Sequence, residues 1–456
     1  MYRLSFALLL TLLLSACGTR SVSDSDGADP LVMSDGAVPS PALWPCLAPA
    51  WQEPTEVIAF SDRHATAPSM VVLESGAVGK PPQIAIQVAA SGGSSPLHPD
   101  LQIARLQLDP GIWPEALVLD RAPQLLGDHA HGWGEMVRTD DGVDLGWHGD
   151  LVMNQGRPRL RRMSAATWTA TATVDVWPES EAVLALAASS TGLAMAWRDV
   201  QSVSATTTTS RPMMALLDAQ GQVVAGPWPG AQAEPYPGRT VTLTHSSTHF
   251  LAAAGYVRCE DGPGPCQPHA VGVLRIDPQT GPMVATWLPT ANPGGAPGRR
   301  IALSAMDGEV WAAWSETGVD ASGPQSLHVA RLAADGTKRL GPVQVASGVH
   351  PISSPRLAAT RFGLVLVWAE ANDTTLPLDQ PGRSRLMLLW LDLDGSPLHG
   401  PDAYPVTQID TYGPPDVVAL DEPRGLLITW SGASRTVSQV HDVAYVAGVD
   451  CSGGMK

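Results

Sequence analysis

The chain has 456 residues, a net charge of −16, 44 Gly, 41 Pro, and a hydrophobic share of 44%. Charged residues make up 16%, well below the typical figure of about 25%. The apolar share allows a large core, and this balance excludes a disordered chain, a coiled coil and collagen. With only 28 Lys and Arg against 44 Asp and Glu, the chain repels phosphates, so nucleic acid is excluded as a partner.

The N-terminus carries Arg3, an apolar run from Leu4 to Leu14, and then small residues. The run is shorter than the about 20 residues that span a bilayer, and it reads as a secretory signal. Its junction, Leu14-Ser15-Ala16-Cys17, resembles the lipobox of bacterial lipoproteins. The resemblance implies a signal peptide over residues 1–16, cleavage before Cys17, and lipid on the Cys17 sulfur and its new amino group. Several acyl chains anchor durably where one is marginal. Gly18 replaces the Asp that marks inner-membrane retention in Gram-negative lipoproteins. The implied address is therefore the outer membrane, facing periplasm or cell surface. Residues 17–45 are rich in Ser, Asp, Gly and Pro and are expected to form a flexible tether of roughly 30 Å root-mean-square span.

From about residue 50 onward one phrase recurs: a β-run ending in an aromatic residue. Examples are Gly192-Leu193-Ala194-Met195-Ala196-Trp197, Gly363-Leu364-Val365-Leu366-Val367-Trp368 and Gly425-Leu426-Leu427-Ile428-Thr429-Trp430. The aromatics are Trp147, Trp197, Tyr256, Trp314, Trp368 and Trp430, with a mean spacing of about 57 residues. A second apolar strand follows most of them and ends in an Asp-Gly turn, as at Leu217-Asp218 with Gly221 and Leu391-Asp392 with Gly395. Gly and Asp suit such turns, because Gly reaches positive φ and Asp bonds its own backbone. One strand before the phrase (Arg356-Leu357-Ala358-Ala359-Thr360) and one after the turn (Val343-Gln344-Val345-Ala346) complete a four-stranded meander, A-B-C-D.

A four-stranded repeat of this length predicts an all-β, seven-bladed β-propeller over residues 46–456. Blades are expected to start near Met70, Trp133, Ala182, Arg239, Arg300, Pro355 and Pro415. The chain ends after the C strand of the seventh blade, and Thr55–Phe60 is a spare strand. Placing it as the missing D strand closes the ring and removes an open edge. The repeats resemble those of bacterial β-propeller lipoproteins, with similarity to sialidase-like and WD40-like propellers. The recurrent Trp is expected to fill the gaps between blades.

Besides Cys17 there are four cysteines, which in an exported chain read as two disulfides with three possible pairings. The proposed closure brings Cys46 to Cys451 and leaves Cys259 to pair with Cys266 inside one B–C loop.

The meander places A–B and C–D turns on one face, and D–A and B–C loops on the other, around the channel mouth. B–C loops are expected at 199–211, 258–269, 316–326, 371–384 and 432–440. Long loops on a rigid scaffold are where function usually sits. Asp150, Asp199, Glu316 and Glu370 end B strands on this face and could bind cations or sugar hydroxyls. His129, His131, His148 and Asp150 gather near the second blade and have the chemistry of a zinc- or iron-type site. No motif otherwise calls for a cofactor. The run Arg157-Pro158-Arg159-Leu160-Arg161-Arg162 is the one basic cluster, a solvated face or an anion contact. The Leu-Asp-x-x-Gly turns lack the Ser or Thr and the Trp of sialidase Asp-boxes. Asp392-Leu393-Asp394-Gly395 lacks the rest of a calcium loop.

No nucleophile elbow, phosphate loop, Cys-x-x-Cys or His-Glu-x-x-His occurs. The leading expectation is a monomeric binding or scaffold module for a protein or glycan in the envelope, held to the membrane through Cys17. The alternative is a hydrolase acting on a glycan or lactone at the channel mouth. Converging acids in a pocket favour the enzyme; a flat rim favours binding.

Overall fold

The computed structural model describes residues 50–451 with interruptions, of which the longest are 75–81, 109–116, 259–266, 318–324, 372–383, 404–414 and 434–441. Contacts divide the chain into units 1–42 and 43–456, and all described residues lie in the second. Among the described residues no helix is long and apolar enough to cross a membrane.

The described strands form seven antiparallel sheets in sequence order around a ring. Their first strands are Arg63–Glu74, His131–Thr139, Ala182–Ser189, Tyr236–His245, Ala302–Met306, Arg356–Thr360 and Asp416–Leu420. These match the seven blade starts expected from the repeat. The chain is thus a seven-bladed β-propeller. The spare N-terminal strand, Thr55–Ala59, pairs with Asp442–Asp450 of the last blade, with Thr55 opposite Val446 and Ala59 opposite Val443. A shorter piece, Ala50–Trp51, pairs beyond it with Asp450 and Val449. First and last segments therefore share one sheet, and the ring has no open seam.

The core is divided into seven apolar layers, each between neighbouring blades. Strand alternation produces this, since successive side chains face the preceding and the following blade. Each recurrent aromatic points to the preceding blade: Trp430 packs with Val365, Val367 and Leu388, and Trp368 with Trp311, Ala313 and Val329. Trp197, Tyr256, Trp314, Trp368 and Trp430 are fully buried, so the recurrent ring is architecture.

The Asp-Gly turns follow the expected chemistry. Asp392 accepts the amides of Asp394 at 3.0 Å and Ser396 at 2.7 Å through Oδ1, and Gly395 has φ of 83°. Asp277 does the same for Thr280 and Gln279, and those backbone bonds hold its carboxyl below the usual range. One expected loop is largely strand: the hairpin of Gly192–Ser204 and Thr207–Leu217 runs through 199–211, with Asp199 opposite Arg211 and Gln201 opposite Thr209. Its Ser and Thr residues suit a strand as well as a loop.

Candidate functional site

One slot near the loop-bearing end of each A strand faces the following blade, as Ala185 and Ala302 do in the cores between blades. Register identifies it as the residue opposite the one just before the recurrent aromatic. Arg356 lies opposite Val367, Asp416 opposite Thr429, and Glu135 opposite Gly146. Ser69, opposite Gln87, fills the slot in the first blade. Alanine occupies it in blades three and five, as Ala185 and Ala302. Among the blades with a described residue in this slot, the polar ones are six, seven, one and two.

These residues are linked across blade boundaries. Arg356 Nε stands 4.0 Å from Asp416 Oδ1, and the two side chains are 15% and 17% exposed. Asp416 Oδ2 accepts the Met70 amide at 2.8 Å, joining the seventh blade to the first. Gln87, 1% exposed, has a buried Oε1 that accepts no hydrogen bond from any described residue. Its amide lies against Gly134, where an added Cβ would come within 2.9 Å of Oε1 and push the Gln87 amide aside. The next residue is half-buried Glu135.

Burial drives the Asp416 carboxyl above the usual carboxylate range, and the negative charge of Glu135 pushes the same way. Arg356 and the Met70 amide oppose the shift without cancelling it. A carboxyl that burial keeps protonated is a candidate proton donor. A protonated Asp416 accepts the Met70 amide on one oxygen and has an O–H to donate from the other.

The acids picked out by sequence behave differently. Glu316 is fully buried: its Oε2 lies 3.4 Å from His328 Nε2, and its Oε1 accepts the Trp314 indole N–H at 3.4 Å. Ser326 Oγ bonds the same His328 nitrogen at 2.8 Å, and the imidazole stacks on Trp314 with centroids 5.8 Å apart. Glu370 is also buried; it accepts the His350 amide at 3.2 Å and lies 3.5 Å from Arg385. Asp199 is half-buried in its hairpin. Glu316 thus ties strands within the fifth blade, and Glu370 ties the sixth blade to the segment leaving the fifth. Their strand-end position suggested an exposed rim, but both side chains are buried.

His131 and His148 are in register opposite each other. Their side chains and that of Asp150 lie outside the description, as do His129, Cys17, Cys46, Cys259 and Cys266. Among the described residues no group of three His, Cys, Asp or Glu could hold a metal. The basic cluster is internally engaged. Arg157 and Arg159 each bond Asp175 at 3.0 Å, Arg161 donates to the Thr171 carbonyl, and Arg162 clasps buried Asp144 with two 2.7 Å bonds.

Sequence reasoning missed Asp416, Arg356 and Glu135. The usable signal was register: they occupy one slot of the repeat, the first residue of the A-strand phrase in blades six and seven and its counterpart in blade two.

No family model matches the chain, and no curated protein does. Among solved structures it is similar to the phage phi92 endosialidase, at 13% identity over 87% of this chain and 69% of that one, TM-score 0.46. It is similar to the haemagglutinin-neuraminidase ectodomain of parainfluenza virus 5, at 8% identity over 88% and 85%, TM-score 0.47. An α-L-arabinanase of Penicillium chrysogenum, complexed with arabinobiose, is similar at 11% identity over 88% and 99%, TM-score 0.42.

Proposed function

We propose that the chain is a hydrolase acting on glycosidic bonds at the channel mouth, with Asp416 as general acid and Glu135 as its partner carboxylate. The observation that carries this is the near-buried Asp416 carboxyl, 4.0 Å from Arg356 and bonded to the Met70 amide, with Glu135 near enough for its charge to raise the Asp416 proton affinity. Glycoside hydrolysis needs one carboxyl that holds its proton and one that does not. Asp416 gives its proton to the leaving oxygen while the glycosidic bond breaks. Glu135 takes the anomeric side, directing water or forming the glycosyl ester. Arg356 keeps positive charge beside Asp416 once that carboxylate has formed. The sequence alone favours a binding or scaffold module; the clustering of these three residues favours the hydrolase.

The same reading makes the protein a monomeric outer-membrane lipoprotein, anchored through Cys17 and tethered by residues 17–45. It includes a Cys46–Cys451 disulfide. Support for that bond is the burial of Cys451 and the pairing of Ala50 with Asp450, which brings the N-terminal segment to the end of the last strand. The test is release of reducing ends from a panel of envelope and plant glycans by the wild type and by Asp416→Asn. Release by the wild type and its loss in the variant support the reading. No release from any glycan overturns it.

A further inference from the structure

On the turn-bearing face, away from the channel mouth, an open depression of about 510 Å³ lies between blades five and six. Glu309, Arg331, Arg339, Leu340 and Asp394 line it.

One wall is rigidly built. Arg331 donates from Nε to Glu309 Oε2 at 3.1 Å and from one terminal nitrogen to Asp394 Oδ1 at 2.9 Å. Its guanidinium lies 5.8 Å over the buried Trp311 ring, and the Trp311 indole donates to the Leu393 carbonyl at 3.0 Å. The guanidinium is thus fixed by both blades. Arg339 is exposed and makes no ion pair with any described residue. Leu340 beside it is 39% exposed, one of four large apolar side chains so exposed among the described residues.

The charges in the depression cancel: two guanidinium groups face two carboxylates. An anion entering it meets Glu309 and Asp394, and a cation meets Arg331 and Arg339. A neutral ligand rich in hydroxyls meets neither penalty, because each hydroxyl both donates and accepts. Planar guanidinium and carboxylate groups each offer two parallel hydrogen bonds, which matches adjacent hydroxyls on a sugar ring. Leu340 supplies an apolar surface for the C–H face of such a ring.

We propose that this depression is a second, non-catalytic site for an uncharged saccharide unit. It is independent of the acid pair, so either can fail alone. It would hold one part of a glycan at the turn face while the mouth remains free for another.

The experiment is titration calorimetry of the whole mature chain, carrying Asp416→Asn so that no ligand is cleaved, with cello-, xylo-, manno-, malto- and chito-hexaose. Binding of at least one hexaose is expected, with affinity changing less than threefold between 50 and 500 mM NaCl. Arg339→Ala and Leu340→Ser change exposed side chains, so the fold persists, and each is expected to weaken binding at least tenfold. Absence of binding by every hexaose overturns the proposal. So does binding that survives both substitutions, or affinity that collapses with salt. Glycan cleavage by the wild type without this binding would sink the second site and leave the acid pair standing.

Discussion

Asp416 Oδ2 accepts the Met70 amide at 2.8 Å, so the side chain assigned the acid role also ties the last blade to the first. The two roles separate by substitution. Asp416→Ala leaves the Met70 N–H without its acceptor, at a cost of about 1–3 kcal/mol. Asp416→Asn keeps a carbonyl oxygen for that amide and removes the acid. Proton donation of this kind contributes about 10²–10⁴-fold in rate. The alanine variant is expected to melt earlier and the asparagine variant to remain folded, with activity lost in both.

The raised proton affinity of Asp416 has a sign that can be measured. Because the folded value lies above the ordinary carboxylate value of 3.8, the native state holds this proton more tightly than the unfolded chain. The associated stability is complete below 3.8 and is lost as pH rises through the folded value. Asp416→Asn removes the loss. Thermal unfolding should show the variant at least as stable as the wild type at pH 7, with the gap narrowing on acidification. A variant markedly less stable at pH 7 would mean that ionised Asp416 stabilises the ring.

His328 has the opposite dependence. Burial lowers its proton affinity, and Glu316, the charged group that faces it, only partly opposes this. Its unfolded form protonates below about 6.5 while the native form resists. Stability is therefore present above 6.5 and is lost as pH falls from there through the depressed folded value. His328→Gln should lose less melting temperature than the wild type between pH 7 and pH 5. Equal losses in the two proteins would place the acid sensitivity elsewhere.

In the basic cluster, burial decides which pair matters. Asp144 is fully buried and clasped by Arg162 through two 2.7 Å bonds, whereas Arg157 and Asp175 are 54% and 39% exposed. Asp144→Ala should cost about 3–5 kcal/mol, because it removes the buried carboxylate that holds the Arg162 guanidinium. Arg157→Ala should cost less than about 1 kcal/mol. Urea denaturation of the two variants checks the contrast.

A Cys46–Cys451 bond would close nearly the whole chain into a loop. In the chain-entropy model such a closure contributes about 3–5 kcal/mol. Peptide mapping without reductant should recover the two cysteines in one linked fragment, and reductant should lower the denaturation midpoint. Linkage of Cys46 to Cys259 instead would break the proposed connection.

The fold was legible because a propeller repeats its own errors and its own signals. The aromatic of each B strand and the Asp-Gly turn marked blade starts well, and the unmatched strand at Thr55 located the closure. The site was less legible. Glu316 and Glu370 sit at strand ends, where sequence suggests solvent, yet both are buried against neighbouring elements. Asp416 and Glu135 carry no motif around them. Glu135 acts on Asp416 only because the ring brings the first strands of the seventh and second blades near each other, a juxtaposition that local pattern does not encode.

The central claim is that Asp416 is the acid of a carboxylate pair. The most direct measurement compares kcat/KM on a cleaved glycan with that on the matching dinitrophenyl glycoside, whose leaving group needs no proton. Asp416→Asn should lose about 10²–10⁴-fold on the glycan and little on the activated glycoside, while Glu135→Gln should lose activity on both. Equal loss by Asp416→Asn on the two substrates, or full activity of Glu135→Gln, would contradict it.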